Sequence, residues 1–156
     1  MTSAADTAYA ERLKVPLRWW VQGTMLVATL WLALVVAVPG PVAWVVTALA
    51  MALLAGALLS YGSARVVVAD GQLRVGRAHI EVGHLGAATP LDAEQARRAA
   101  GVDADARAFL VLRPYLKRAV RVVIADPADP TPYWLVSTRH PERLAEALAH
   151  ARGAGH

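Results

Sequence analysis

From Trp19 to Ser63 the chain runs for 45 residues without an Asp, Glu, Lys, Arg or His. No soluble domain of ordinary composition leaves so long a stretch uncharged, and the stretch divides into two runs of equal length. Trp19–Val38 and Val42–Tyr61 are each 20 residues, which at the helical rise spans about 30 Å, the thickness of a hydrocarbon core. Only Pro39, Gly40 and Pro41 separate them. Proline ends one helix and turns the chain, so the spacing predicts an antiparallel transmembrane hairpin and not one long helix.

The flanks give the hairpin a direction. Arg12, Lys14 and Arg18 stand before the first run, Arg65, Arg74 and Arg77 follow the second, and the connection between the runs holds no cation. Positive charge stays inside, so both termini are expected in the cytoplasm of a multi-pass protein of the inner (plasma) membrane. Trp19, Trp20, Trp44 and Tyr61 fall where an aromatic belt would sit. A signal peptide is the competing reading of the first run. Twenty apolar residues exceed a usual signal core, and the second run would still anchor the chain. The absence of any ionisable group within the spans argues against a proton relay or an ion pathway. Ala48, Ala52, Gly56 and Ser60 recur every four residues along the second run, a small-residue ridge that suits close helix approach. It would receive either the first span or, alternatively, a partner or second copy of the chain.

Beyond the hairpin the period changes from helix to strand. Arg65–Ala69 and Gln72–Gly76 flank Asp70-Gly71, a two-residue hairpin signal, and Ala78–Val82 alternates apolar and polar. His84–Pro90 reads as an irregular edge strand. Asp92 with Gln95 starts a short helix over Ala93–Ala100, Arg107–Leu112, Ala119–Ala125 and Tyr133–Thr138 read as further strands, and a C-terminal helix opens at Pro141. The expected organisation is a juxtamembrane segment over 1–18, the hairpin over 19–63, a cytoplasmic β-domain over 64–152 and a tail over 153–156. The fold class is therefore an α+β membrane protein: a two-helix hairpin followed by a small antiparallel β-domain with a C-terminal helix. That order of elements resembles the pleckstrin-homology-like domains that follow two-span hairpins in bacteria.

Three stretches together carry a narrower resemblance: Tyr9-Ala-Glu-Arg-Leu-Lys-Val-Pro16 with Trp19-Trp20, Val68-Ala-Asp-Gly-Gln-Leu-Arg-Val-Gly76 with His79-Ile80, and Asp126-Pro-Ala-Asp129-Pro-Thr-Pro132-Tyr-Trp-Leu-Val-Ser137-Thr-Arg139-His-Pro141. From about Tyr9 to Leu148 the chain resembles an actinobacterial family of small two-span membrane proteins classed as a domain of unknown function. The resemblance implies a membrane protein with a cytoplasmic domain and supplies no catalytic residues.

Two surfaces could carry function. Arg113, Lys117, Arg118 and Arg121 cluster around one turn, and with Arg139 could meet lipid head groups or an acidic partner. Asp126, Asp129, Ser137 and His140 form the one polar group close in sequence. Two carboxylates three apart could hold a divalent cation, yet they equally suit turn hydrogen bonds, with Arg139 pairing to one of them. Ser137 and His140 suggest a nucleophile and base, without a nucleophile elbow. With no Cys, thiol chemistry and disulfides are excluded. The expected function is a non-enzymatic, membrane-tethered binding or scaffold module for a protein partner or lipid head groups, without a cofactor. The alternatives are a metal-dependent or hydrolytic enzyme at Asp126, Asp129 and His140, and an accessory subunit of a larger membrane complex. Nucleic acid is disfavoured because no stacking or groove-reading motif accompanies the charge.

Overall fold

A computed structural model describes residues 7–154. The chain forms two compact units, one comprising residues 14–64 and the other residues up to 13 together with 65 onward.

The first unit is the helical hairpin. Helix α1 covers Leu17–Ala37 and α2 covers Gly40–Gly62, so the helices are longer than the apolar runs that announced them. Val38 caps α1 in extended backbone, Pro39 is the N-cap of α2, and Gly40 and Pro41 belong to its first turn. The missing amide of Pro41 costs nothing there, because first-turn amides have no intrahelical acceptor. Both helices are long and apolar enough to cross a membrane. Few of their side chains are buried, and Leu26, Val36 and Leu53 are among many large apolar groups left exposed, the reverse of a soluble core helix. Thr29 and Thr47 donate their hydroxyls to the carbonyls four residues back, 2.9 and 2.7 Å away, which satisfies both without water.

The second unit contains two four-stranded sheets. Strands β1 (Thr7–Arg12), β2 (Arg65–Ala69), β3 (Gln72–Val75) and β4 (Ala78–Glu81) form the first sheet in that order, all antiparallel. The β2–β3 turn is Asp70-Gly71 with φ of +51° and +69°, the paired left-handed conformations that match strand twist. The second sheet has the order β5-β7-β8-β6, built from β5 (Leu85–Leu91), β6 (Phe109–Val111), β7 (Ala119–Ile124) and β8 (Tyr133–Ser137). Strand β5 lies at an edge and carries a register shift between Leu85 and Ala88, and an edge tolerates Pro90.

Two expectations need correction. The second sheet is not wholly antiparallel, since β6 pairs parallel to β8. All five residues of β8 are buried, whereas Phe109 and Leu110 of β6 remain partly exposed. The apolar segment therefore takes an interior slot and displaces β6 to the rim. Likewise, residues 1–18 are not simply a juxtamembrane segment, because Thr7–Arg12 pairs along β2. Residues 1–6 lie outside the described residues, as do the last two of the 153–156 tail.

Helix α3 (Ala93–Ala100) and helix α4 (Pro141–Ala154) cover the sheets. Leu144 and Leu148 of α4 are buried, and the helix packs on β1 and β2 from one sheet and on β5 and β7 from the other. On the second sheet's other face, Ala119, Tyr133 and Leu135 pack with Ala96 of α3, joined by Leu91, Ala99 and Leu112. That double covering explains why β8 has no polar face.

Candidate functional site

A concavity of the sheet unit lies beside α3. Its walls are Leu91, Gln95, Arg98, Ala99, Asp103, Arg121 and Tyr133, around a cavity of about 220 Å³. The helix is fixed by a complete capping box. The Gln95 amide donates to Asp92 Oδ1 at 2.8 Å and the Asp92 amide to Gln95 Oε1 at 3.0 Å. Its last turn carries Arg97 and Arg98, where cations oppose the helix dipole favourably. Arg97 pairs back to Glu94 at 2.7 Å, while Arg98 reaches forward to Asp103 at 3.5 Å.

Strand alternation supplies the opposite wall. Val120, Val122 and Ile124 are buried on one face of β7, which turns Arg121 to the α3 side. Its guanidinium carbon lies over the Tyr133 ring, 4.2 Å from the ring centre, a cation–π contact. Tyr133 is itself fixed, its hydroxyl accepting the Asp105 amide at 3.0 Å. Among the described residues Arg121 forms no ion pair with a carboxylate. The pocket thus holds two guanidinium groups against one carboxylate.

The basic cluster expected around one turn is dispersed by the fold. Arg118 donates to both carboxylate oxygens of Glu142 on α4, one at 2.6 Å. Arg121 enters the pocket, Lys117 is exposed in the connecting loop, and the half-buried Arg113 gives its backbone amide to Ser137 Oγ at 3.1 Å. The polar group is also divided. Asp126 Oδ1 accepts the Ala128 amide at 2.9 Å and Asp129 Oδ1 the Thr131 amide at 2.8 Å, and hydrogen bonds from the Thr131 amide and hydroxyl hold the Asp129 carboxyl below its usual range. Ser137 is buried with its hydroxyl toward Arg113, whereas His140 is exposed and gives its amide to Thr138 Oγ1 at 3.1 Å. No three His, Asp or Glu side chains are grouped to hold a metal ion among the described residues.

Arg139 pairs with neither Asp126 nor Asp129, contrary to expectation. Its backbone amide lies 3.1 Å and its Nη1 3.4 Å from Glu11 Oε1, and Nη1 also reaches the Arg12 carbonyl at 3.2 Å. Glu11 is the centre of a polar node that reading the chain locally did not find. Tyr9 donates its hydroxyl to Glu11 Oε2 at 2.7 Å, and Thr138 Oγ1 donates to the same oxygen. Burial raises the Glu11 pKa, but the bonds from Thr138, Tyr9 and the Arg139 amide, with the Arg139 charge, outweigh it and leave the carboxyl below its usual range. Burial pushes the Tyr9 hydroxyl up to about 12, with the Glu11 charge adding to it. The sequence signal was the Tyr9-x-Glu11 spacing, which puts both on one strand face. The partner, however, lies 127 residues away.

In the hairpin, Ala48, Ala52, Gly56 and Ser60 all lie on the exposed side of α2. The ridge does not receive α1, and a Cβ at Gly56 would meet nothing within 4 Å. The close approach is instead at Gly23 of α1, where a Cβ would stand 2.8 Å from both Leu54 methyl groups. Trp31, in the middle of α1, sits 5.5 Å from Trp44 between ring centres, while its indole nitrogen makes no hydrogen bond.

An apolar helical hairpin inserted into an α+β sheet domain is thus the class of chain these observations define. Residues 8–148 match the family described as Protein of unknown function (DUF3093), and the chain belongs to that family. No curated protein and no solved structure matches it.

Proposed function

We propose that this chain is an integral membrane protein that holds a non-enzymatic, pleckstrin-homology-like binding module at the cytoplasmic face of the plasma membrane. The observation that carries the reading is the pairing of Arg12 with Arg65 at the ends of β1 and β2. The whole hairpin is connected where a tight turn would ordinarily join two antiparallel strands, so its two ends leave adjacent positions of one sheet. Two spans entering and leaving at one place return the chain to the side from which it came. Arg12, Lys14, Arg18 and Arg65 mark that side as internal.

The binding role is supported by the α3 pocket, whose excess of guanidinium suits an anionic ligand better than a metal ion or a cationic peptide. Alkaline carbonate extraction tests the anchor: the protein stays in the membrane pellet. Tags at either terminus become accessible only after the membrane is permeabilised. Release by carbonate, or accessibility in intact cells, defeats the reading.

A further inference from the structure

We infer that the pocket between α3 and the second sheet is a site for a small organic phosphate, with Arg98 and Arg121 as the phosphate-binding residues. The inference rests on the binding-module reading above and gives its ligand a chemical class. The two guanidinium groups come from different elements, the last turn of α3 and the middle of β7, and both line one cavity. Each presents a planar fork of donors that matches two oxygens of a phosphoryl group.

The two arginines are differently prepared. Arg121 lies over the Tyr133 ring and has no carboxylate partner among the described residues, so its guanidinium is not committed to a carboxylate. Arg98 has Asp103 at 3.5 Å, but both side chains are more than half exposed, at 65% and 55%. A solvated pair of that kind is weak and yields to a better-placed anion. Gln95 has committed its carboxamide oxygen to the Asp92 amide, which leaves its NH₂ group as a donor.

Size and lining narrow the ligand further. About 220 Å³ is below the usual range for a drug-sized ligand and suits a phosphoryl group with a body of a few heavy atoms. Leu91, Ala99 and the Tyr133 ring offer that body apolar contact. The formal balance of two guanidinium groups and one carboxylate is a single positive charge, which favours a phosphoryl anion over a neutral or cationic ligand. The shared chemistry is a phosphate ester of a small polyol, and it has two sources, a soluble metabolite or the head group of an anionic phospholipid.

The test uses the full chain in maltoside micelles, titrated with glycerol 3-phosphate at constant ionic strength and followed by amide and arginine side-chain NMR. Saturable shifts confined to Arg98, Asp103, Arg121 and their neighbours are expected. Arg121→Gln and Arg98→Gln weaken the apparent affinity about tenfold or more. Asp103→Asn tightens it by releasing Arg98. A parallel titration with dihexanoyl phosphatidylglycerol assigns the source: tighter binding than glycerol 3-phosphate at the same resonances points to lipid, and weaker binding to a soluble ester. The inference is overturned if neither probe gives saturable shifts up to about 10 mM, if the Arg→Gln variants respond as the parent does, or if acetate competes as well as phosphate. A failed titration in a protein that still resists carbonate removes the pocket assignment and leaves the anchored module standing.

Discussion

At the scale of single residues, Glu11 is the side chain with most to lose. Its carboxylate accepts from Tyr9, from Thr138 and from the backbone and side chain of Arg139, tying β1 to the entry of α4. Glu11→Ala strands those donors and is expected to cost about 2 kcal/mol in thermal or denaturant unfolding; an unchanged midpoint would refute the node. The pH dependence follows from the two shifts. Because the folded Glu11 pKa lies below its usual 4.5, the native state binds fewer protons than the unfolded chain. The stabilisation is present above about pH 4.5 and fades as pH falls through the folded value. Tyr9 has the opposite sign: with its pKa raised from 10.0 to about 12, stability is retained below pH 10 and declines as the pH rises toward 12. Tyr9→Phe should abolish that alkaline decline, which a melting series in carbonate and phosphate buffers measures. The Asx turns at Asp126 and Asp129 were legible from composition, because Asp beside Pro commonly bonds its own turn. The Glu11 node was not, since nothing in residues 7–12 indicates which of more than a hundred later residues will meet that strand face.

Among the elements, α3 and the hairpin helices make contrasting predictions. Asp92→Ala removes one half of the capping box and should cost about 1 kcal/mol. Amide exchange accelerates first at Gln95 and then along the helix that forms one pocket wall. In the hairpin, Gly23→Val places branched carbon into a site where a Cβ already meets Leu54 at 2.8 Å, and overpacking of this kind costs about 1–3 kcal/mol. Gly56→Val meets open space and leaves the hairpin unaltered. With no native Cys in the chain, spin labels on introduced thiols in α1 and α2 report the separation cleanly. An increase for the Gly56 variant but not the Gly23 variant would reverse the assignment of faces. Periodicity made the small-residue ridge visible, yet could not say that α1 packs elsewhere. Helix rotation within a hairpin depends on which large side chains interdigitate, and both faces of α2 are apolar.

For the whole molecule, the controlling feature is that the hairpin occupies the β1–β2 connection. Joining Leu13 to Ala64 through Asn-Gly replaces it with a two-residue turn of the kind such a strand pair accepts. The expected product is water-soluble, retains the tertiary signature of the sheet unit and gives no membrane pellet. An insoluble or unfolded product would show that the sheet unit depends on its anchor. Composition and local periodicity determined a good deal here. Charge-free runs announced two helices of spanning length, alternating residues announced the strands, and Asp70-Gly71 and Asp92 with Gln95 marked their turns and caps, because each of those signals acts over a few residues and needs no distant partner. Tertiary structure decided the rest: that Thr7–Arg12 completes the first sheet, that β8 lies between β7 and β6, that Glu11 and not an Asp receives Arg139, and that the basic residues separate into an ion pair with α4 and a pocket beside α3. Those outcomes follow from which apolar faces bury together, and burial is a property of the assembled chain rather than of any segment within it.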